Sequence, residues 1–254
     1  MAEAIARSAI DQEVLAPQQI IAADPSPQRL ALFDSMQITV AAENRAVINQ
    51  AAHVVLAIKP QMLDSIGADL AAIDVDRQVL ISIMAGITSG KLEQAIGKPA
   101  RIVRIMPNTP VLVGCGMAAI ALGPHARKGD DDLAMNLFGA AGQAIRVDEA
   151  QLDAVTAVSG SGPAYVFYLA EIMARAAADL GLAEQADQLV RQTVLGAATL
   201  LARSDDSAAD LRRKVTSAGG TTEAALSHMA GHGVAEVIMQ AIAAARERSE
   251  ELGA

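Results

Sequence analysis

Short apolar runs rich in Ile and Val alternate with stretches of helical spacing along the first 147 residues. The runs at 19–23, 37–40, 53–58, 79–83, 101–106 and 116–122 predict β-strands. They show little polar alternation, which predicts strands covered on both faces. Between them, 27–35, 43–51, 61–72 and 88–96 read as helices, and residues 1–10 are helical in pattern from the outset. Strands and helices alternating at this spacing imply an α/β fold with a mostly parallel, doubly wound sheet.

After Asp148 the β-branched runs stop. Tyr165, Tyr168, Leu169, Ile172, Met173 and Ala176 recur at helical spacing, as do Val234, Val237, Ile238, Ala241 and Ile242. Pro163 suits the first turn of a helix and Gly181 its end. The pattern divides the chain into an α/β domain over 1–147 and an all-helical domain over 148–254. Leu189, Val190, Val194, Leu195, Leu200 and Leu201 place apolar surface on more than one helix face. That surplus predicts burial against another subunit; the alternative is a compact monomeric bundle.

Composition narrows the function. The chain is 52% hydrophobic, but its only aromatic residues are two Tyr and three Phe, so the core is aliphatic. A net charge of −9 without a Lys/Arg cluster argues against nucleic acid as a partner. The single Cys115 excludes an internal disulfide framework and fits a reducing compartment. No apolar run has the length of a membrane span, and no secretory leader is evident, so a cytoplasmic protein is expected.

The segment Val215–Leu226 carries the clearest chemistry. Gly219 and Gly220 stand among Ser217, Thr221 and Thr222, just before an apolar helical pattern. Glycines let backbone N–H groups converge, and the positive end of a helix then suits a carboxylate. The plain alternative is an ordinary capped helix, with Ser217, Thr221 or Thr222 as the cap. In the other half, a dinucleotide-binding sheet would open with a strand and a Gly-rich turn. No such strand is present here. The first plausible strand ends at Asp24, where such folds carry, at the end of their second strand, the acid that holds a ribose diol. Of the four histidines only His228 and His232 show ligand spacing, and no metal is expected.

Three segments in order resemble the pyrroline-5-carboxylate reductase family: Arg104–Pro110, Ser159–Tyr165 and Thr216–Leu226. The likeness runs along nearly the whole chain. It implies a Rossmann-like domain with its first strand missing, followed by an all-α dimerisation domain. The implied reaction is reduction of 1-pyrroline-5-carboxylate to L-proline with NADPH or NADH. Met1 matches the Met of the family's G-x-G-N-M-G turn, which implies a truncation or a start assigned to an internal methionine. Ala218 stands where the family usually has Pro.

The resemblance also implies roles. Ser217, Gly219, Gly220, Thr221 and Thr222 would bind the substrate, with Thr222 hydrogen-bonded to the ring nitrogen as the catalytic contact. Glu149 is placed near the substrate, with a solvated surface acid as its alternative. The cofactor would meet Asp24, Asn44, Ala57, Ile58, Lys59, Pro60, Met84, Ala85, Gly86, Asn108 and Lys214. Asp24 favours a free 2′-hydroxyl and hence NADH, while Arg29 nearby keeps NADPH open. No obvious proton donor stands in these motifs. Two further readings are an inactive chain acting as an oligomerising helical module and a β-hydroxyacid dehydrogenase-like reductase. The second needs a catalytic Lys inside a helix, and Lys214 is the only Lys after Lys128.

Overall fold

The structure is a computed structural model that describes residues 1–253. It divides into two compact units: Met1–Ser161 joined by the stretch from Ala245 onward, and Gly162–Ala244.

The first unit carries all the strands: β1 (Ile21–Ala23), β2 (Thr39–Ala41), β3 (His53–Leu56), β4 (Val79–Ser82), β5 (Ile102–Pro107), β6 (Gly116–Leu122) and β7 (Gly142–Arg146). β1 and β2 form a separate parallel pair, and the rest form one sheet in the order β3-β4-β5-β6-β7. Pairing is parallel except between β5 and β6. β1, β2, β3 and β7 are the terminal strands, each with one edge without a strand among the described residues.

Around the strands lie α1 (Ala2–Asp11), α2 (Pro27–Ser35), α3 (Asn44–Ile48), α4 (Leu63–Leu70), α5 (Ser89–Ile96), α6 (Asp132–Ala140) and α7 (Leu152–Val155). Burial explains the absence of polar alternation. Leu80 and Ile102 face one core, with Val54, Leu56 and Leu92. Their chain neighbours Val79, Ile81 and Val103 face a second core, with Ile5 and Phe138. A two-residue period is present, but both phases are apolar because helices cover both faces.

Two elements, β7 and α6, were not apparent in the sequence. β7 is an edge strand, Gly-Gln-Ala-Ile-Arg, whose side chains stay exposed or half-buried, so its sequence has no apolar run. The segment after it, 149–161, is helical yet belongs to the first unit: Leu152 packs with Ala119 and Ala121 of β6. Periodicity reads helix from strand; it does not say which core a helix joins.

The second unit is helical: α8 (Gly162–Ala177), α9 (Ala186–Arg203), α10 (Ala208–Lys214), α11 (Thr221–Gly231) and the start of α12 (Val234–Gly253). Gly181, at φ 84°, breaks the helical path between α8 and α9 where a stop was expected. Among the described residues of this unit, only Ala186 and Val190 are buried. Phe167 is 66% exposed, Leu195 61% and Val237 62%, so its apolar faces lie uncovered.

Candidate functional site

β3, β4 and β5 run parallel, so the loops leaving their carboxyl ends lie along one edge of the sheet. Open α/β sheets place ligands at that edge. The loops are Ala57–Pro60 after β3, Met84–Gly86 after β4 and Asn108 after β5. Pro60 begins a 3-10 turn in which the exposed Lys59 offers its carbonyl to the Met62 N–H at 2.9 Å. Ile58 packs on the core beneath, and Met84 is buried.

Asn108 is fully engaged. Its Oδ1 accepts the Met117 N–H at 2.9 Å, and its Nδ2 donates to the carbonyl and the hydroxyl of Ser159, both at 3.3 Å. It ties the Pro-bracketed turn after β5 to the segment Ser159–Gly160. A side chain on Gly160 would strike Met106 of β5, so the segment lies close against that strand.

At the end of β1, Asp24 Oδ1 accepts the Ser26 N–H at 2.9 Å, which leaves the other carboxylate oxygen without a partner among the described residues. Arg29 is held at 3.1 Å by Glu3 and lies 5.8 Å over the Phe33 ring. Asn44 does not cap α3, whose N-cap is Glu43; its Nδ2 donates to Asp69 at 2.9 Å and links α3 to α4.

Glu149 is half-buried and bound to two partners. Its Oε1 accepts from Arg104 Nη1 at 3.0 Å and from the Ser89 N–H at 2.7 Å, at the start of α5. Arg104 is only 5% exposed, in the middle of the sheet on β5. A carboxylate at a helix start, paired with a buried guanidinium, is stabilised twice over. Sequence reasoning passed over Arg104 because a single Arg in an apolar strand has no local partner to flag it.

A second buried pair, Arg101 with Asp130, was also missed. Burial would raise the Asp130 carboxyl, but bonds from Arg101 and the Arg127 N–H outweigh it and hold the group below the usual carboxylate range. Nearby, burial and then the Arg101 charge push His53 below its ordinary 6.5.

In the second unit, the Gly-rich turn differs in detail from expectation. The N-cap of α11 is Gly220, with extended backbone and no side-chain bond; Thr221 and Thr222 are already inside the helix. The Gly220 N–H is taken by the Ser217 carbonyl at 3.0 Å, so the turn closes through backbone and leaves the three hydroxyls out of the cap. The Gly219 N–H is held by Glu223 Oε2 at 2.7 Å, so one of the donors expected for a ligand carboxylate already carries a carboxylate. Thr222 is half-buried, and Ser217 and Thr221 are exposed. Lys214, at the end of α10, pairs with Asp206. His228 and His232 stack with centroids 4.2 Å apart, and no group of three potential metal ligands gathers among the described residues. No described helix is long and apolar enough to cross a membrane.

Comparison with known proteins finds two family models along the chain. Residues 149–252 match the family model described as pyrroline-5-carboxylate reductase dimerisation, and residues 1–86 match one described as NADP oxidoreductase, coenzyme F420-dependent. A pyrroline-5-carboxylate reductase of Synechocystis sp. is 39% identical over all of this chain and 95% of its own length. The solved pyrroline-5-carboxylate reductase of Coxiella burnetii superposes with a TM-score of 0.90 at 35% identity, covering 100% of this chain and 95% of that one. A Plasmodium falciparum pyrroline carboxylate reductase solved with NADP bound gives 0.86 at 28% identity, over 99% and 94%.

Proposed function

The chain belongs to the pyrroline-5-carboxylate reductase family, and from that premise we propose that it reduces 1-pyrroline-5-carboxylate to L-proline with a nicotinamide dinucleotide. The observation that carries this reading is the single sheet edge that gathers Ala57–Pro60, Met84–Gly86 and Asn108. Asp24 would hold the adenosine ribose through its spare oxygen. When bound, the dinucleotide supplies the hydride; the protein supplies position and charge.

The substrate is a small cyclic imine bearing a carboxylate. Gly219–Thr222 would take that carboxylate on the first N–H groups of α11, and Thr222 would orient the ring nitrogen. Glu223 would have to leave the Gly219 N–H for the substrate to use it. Asn108 and Glu149 are read as residues that fix the site's frame, Asn108 through Met117 and Ser159, and Glu149 through Arg104 and the start of α5. Lys214 is likewise tied to Asp206.

The cofactor is read as NADH ahead of NADPH, because Asp24 would repel a 2′-phosphate and Arg29 is already committed to Glu3. Self-association is read from the uncovered faces of α8, α9 and α12, which a second copy would bury. The test is proline formation by the purified chain from 1-pyrroline-5-carboxylate, followed with each dinucleotide in turn. Formation of L-proline, faster with NADH, is expected; no proline with either dinucleotide would overturn the assignment.

A further inference from the structure

The loop between β4 and α5 is held at three points. At one end Ser82 Oγ accepts the Met84 N–H at 3.3 Å, and at the other Glu149 accepts the Ser89 N–H at 2.7 Å. Its middle is held by the end of α12. Gly86 is buried at φ +75°, and a Cβ there would lie 3.0 Å from Leu252 Cβ and 3.1 Å from the Ser249 carbonyl oxygen. The fit is reciprocal: a Cβ on Gly253 would lie 2.5 Å from the Gly86 carbonyl oxygen. Two backbones meet with no room for a side chain between them.

Ser249 fastens this contact. It is 3% exposed, and its Oγ donates to Asp153 Oδ1 at 2.6 Å. Asp153 follows Glu149 by four residues, so one short segment holds both the start of α5 and the end of α12. The contacts close a ring: Glu149 to Ser89, along the loop to Gly86, across to Gly253 and Ser249, and back through Asp153. A positive-φ glycine loop samples many shapes when nothing restrains it. A hydrogen bond from a buried hydroxyl to a carboxylate is a strong restraint.

We propose that Ser249 and Gly253 are positioning residues, and that the last turn of α12 is a strap that sets Met84–Gly86 in the shape that receives the dinucleotide. The proposal rests on the reading above that these loop residues border the nicotinamide. Neither strap residue touches the reacting atoms.

Amide hydrogen exchange on the full chain tests it directly. Ser249→Ala should speed exchange across residues 83–88 about 10-fold, the effect of losing one hydrogen bond to a charged acceptor. Gly253→Ala should do the same by pushing the helix end off Gly86, while Ser249→Thr keeps the hydroxyl and the wild-type rate. Amides of β5 and β6 should not change. In turnover, the KM for dinucleotide should rise about 10-fold in Ser249→Ala with kcat within about twofold. Wild-type exchange over 83–88 in both Ala variants overturns the strap, and so does faster exchange there with an unmoved dinucleotide KM. If Ser249→Ala does not fold, Gly253→Ala decides by the same readouts. A wild-type chain that makes no proline overturns the proposed function instead, and dinucleotide affinity by fluorescence titration then replaces KM for the strap.

Discussion

Replacing Glu149 by Ala leaves the Arg104 guanidinium, 5% exposed, without its counter-charge in the centre of the sheet. Breaking a buried pair from one side costs about 3–5 kcal/mol. The Glu149 side chain is 26% exposed, so water can partly compensate and the lower end applies. The lost bond to the Ser89 N–H adds about 1 kcal/mol. The sum, about 4 kcal/mol, is a large share of the roughly 5–15 kcal/mol that holds a domain folded. For a unit of this size it lowers the melting temperature by roughly 8–16 °C. Glu149→Gln keeps an oxygen for Ser89 and should cost about 2 kcal/mol. The double change Arg104→Met with Glu149→Leu removes both charges and should return to within about 2 kcal/mol of wild type. Denaturant unfolding followed by far-UV circular dichroism gives these values, since the chain has no Trp to report by fluorescence. An unchanged midpoint in Glu149→Ala, with a raised KM for the imine, would refute the framing role and return Glu149 to the substrate.

Asp24→Ser removes the carboxylate from the end of β1 and should shift the NADH-to-NADPH ratio of kcat/KM towards NADPH about tenfold, from the worth of one charged hydrogen bond. Glu223→Gln weakens the carboxylate that occupies the Gly219 N–H and should lower the KM for pyrroline-5-carboxylate a few-fold, whereas Thr222→Val should raise it about tenfold. His53 titrates below 6.5 in the folded chain, so the unfolded chain binds its proton more readily. Stability from this group is full above 6.5 and is lost as pH falls through the lower folded value. His53→Phe should flatten that acid-side fall in the unfolding midpoint.

Much of the architecture was legible because it rests on local pattern. The runs through Leu80 and Ile102 are apolar on both phases, which marks strands sandwiched between helices, and the switch after Asp148 marks where the strands end, while the second compact unit begins at Gly162. β7 escaped because an edge strand with exposed Gln143 and Arg146 needs no apolar run. In the site, the resemblance named Ala57–Pro60 and Met84–Gly86, and the parallel pairing of β3 with β4 puts both segments at one end of the sheet. The bonds of Asn108, Asn44, Lys214 and Glu149 were not legible, since each partner lies 8 to 60 residues away or in another element. The Glu223 contact lies only four residues from Gly219, but it depends on Gly220 taking the cap, a choice of backbone geometry that composition does not fix.

With only Ala186 and Val190 buried among its described residues, the second unit has almost no interior of its own. If a second copy supplies the missing cover, assembly and folding of that half are one event. Its melting point then rises with protein concentration, and dilution alone melts it. For such a half, the cell sets stability partly through how much of the chain it makes.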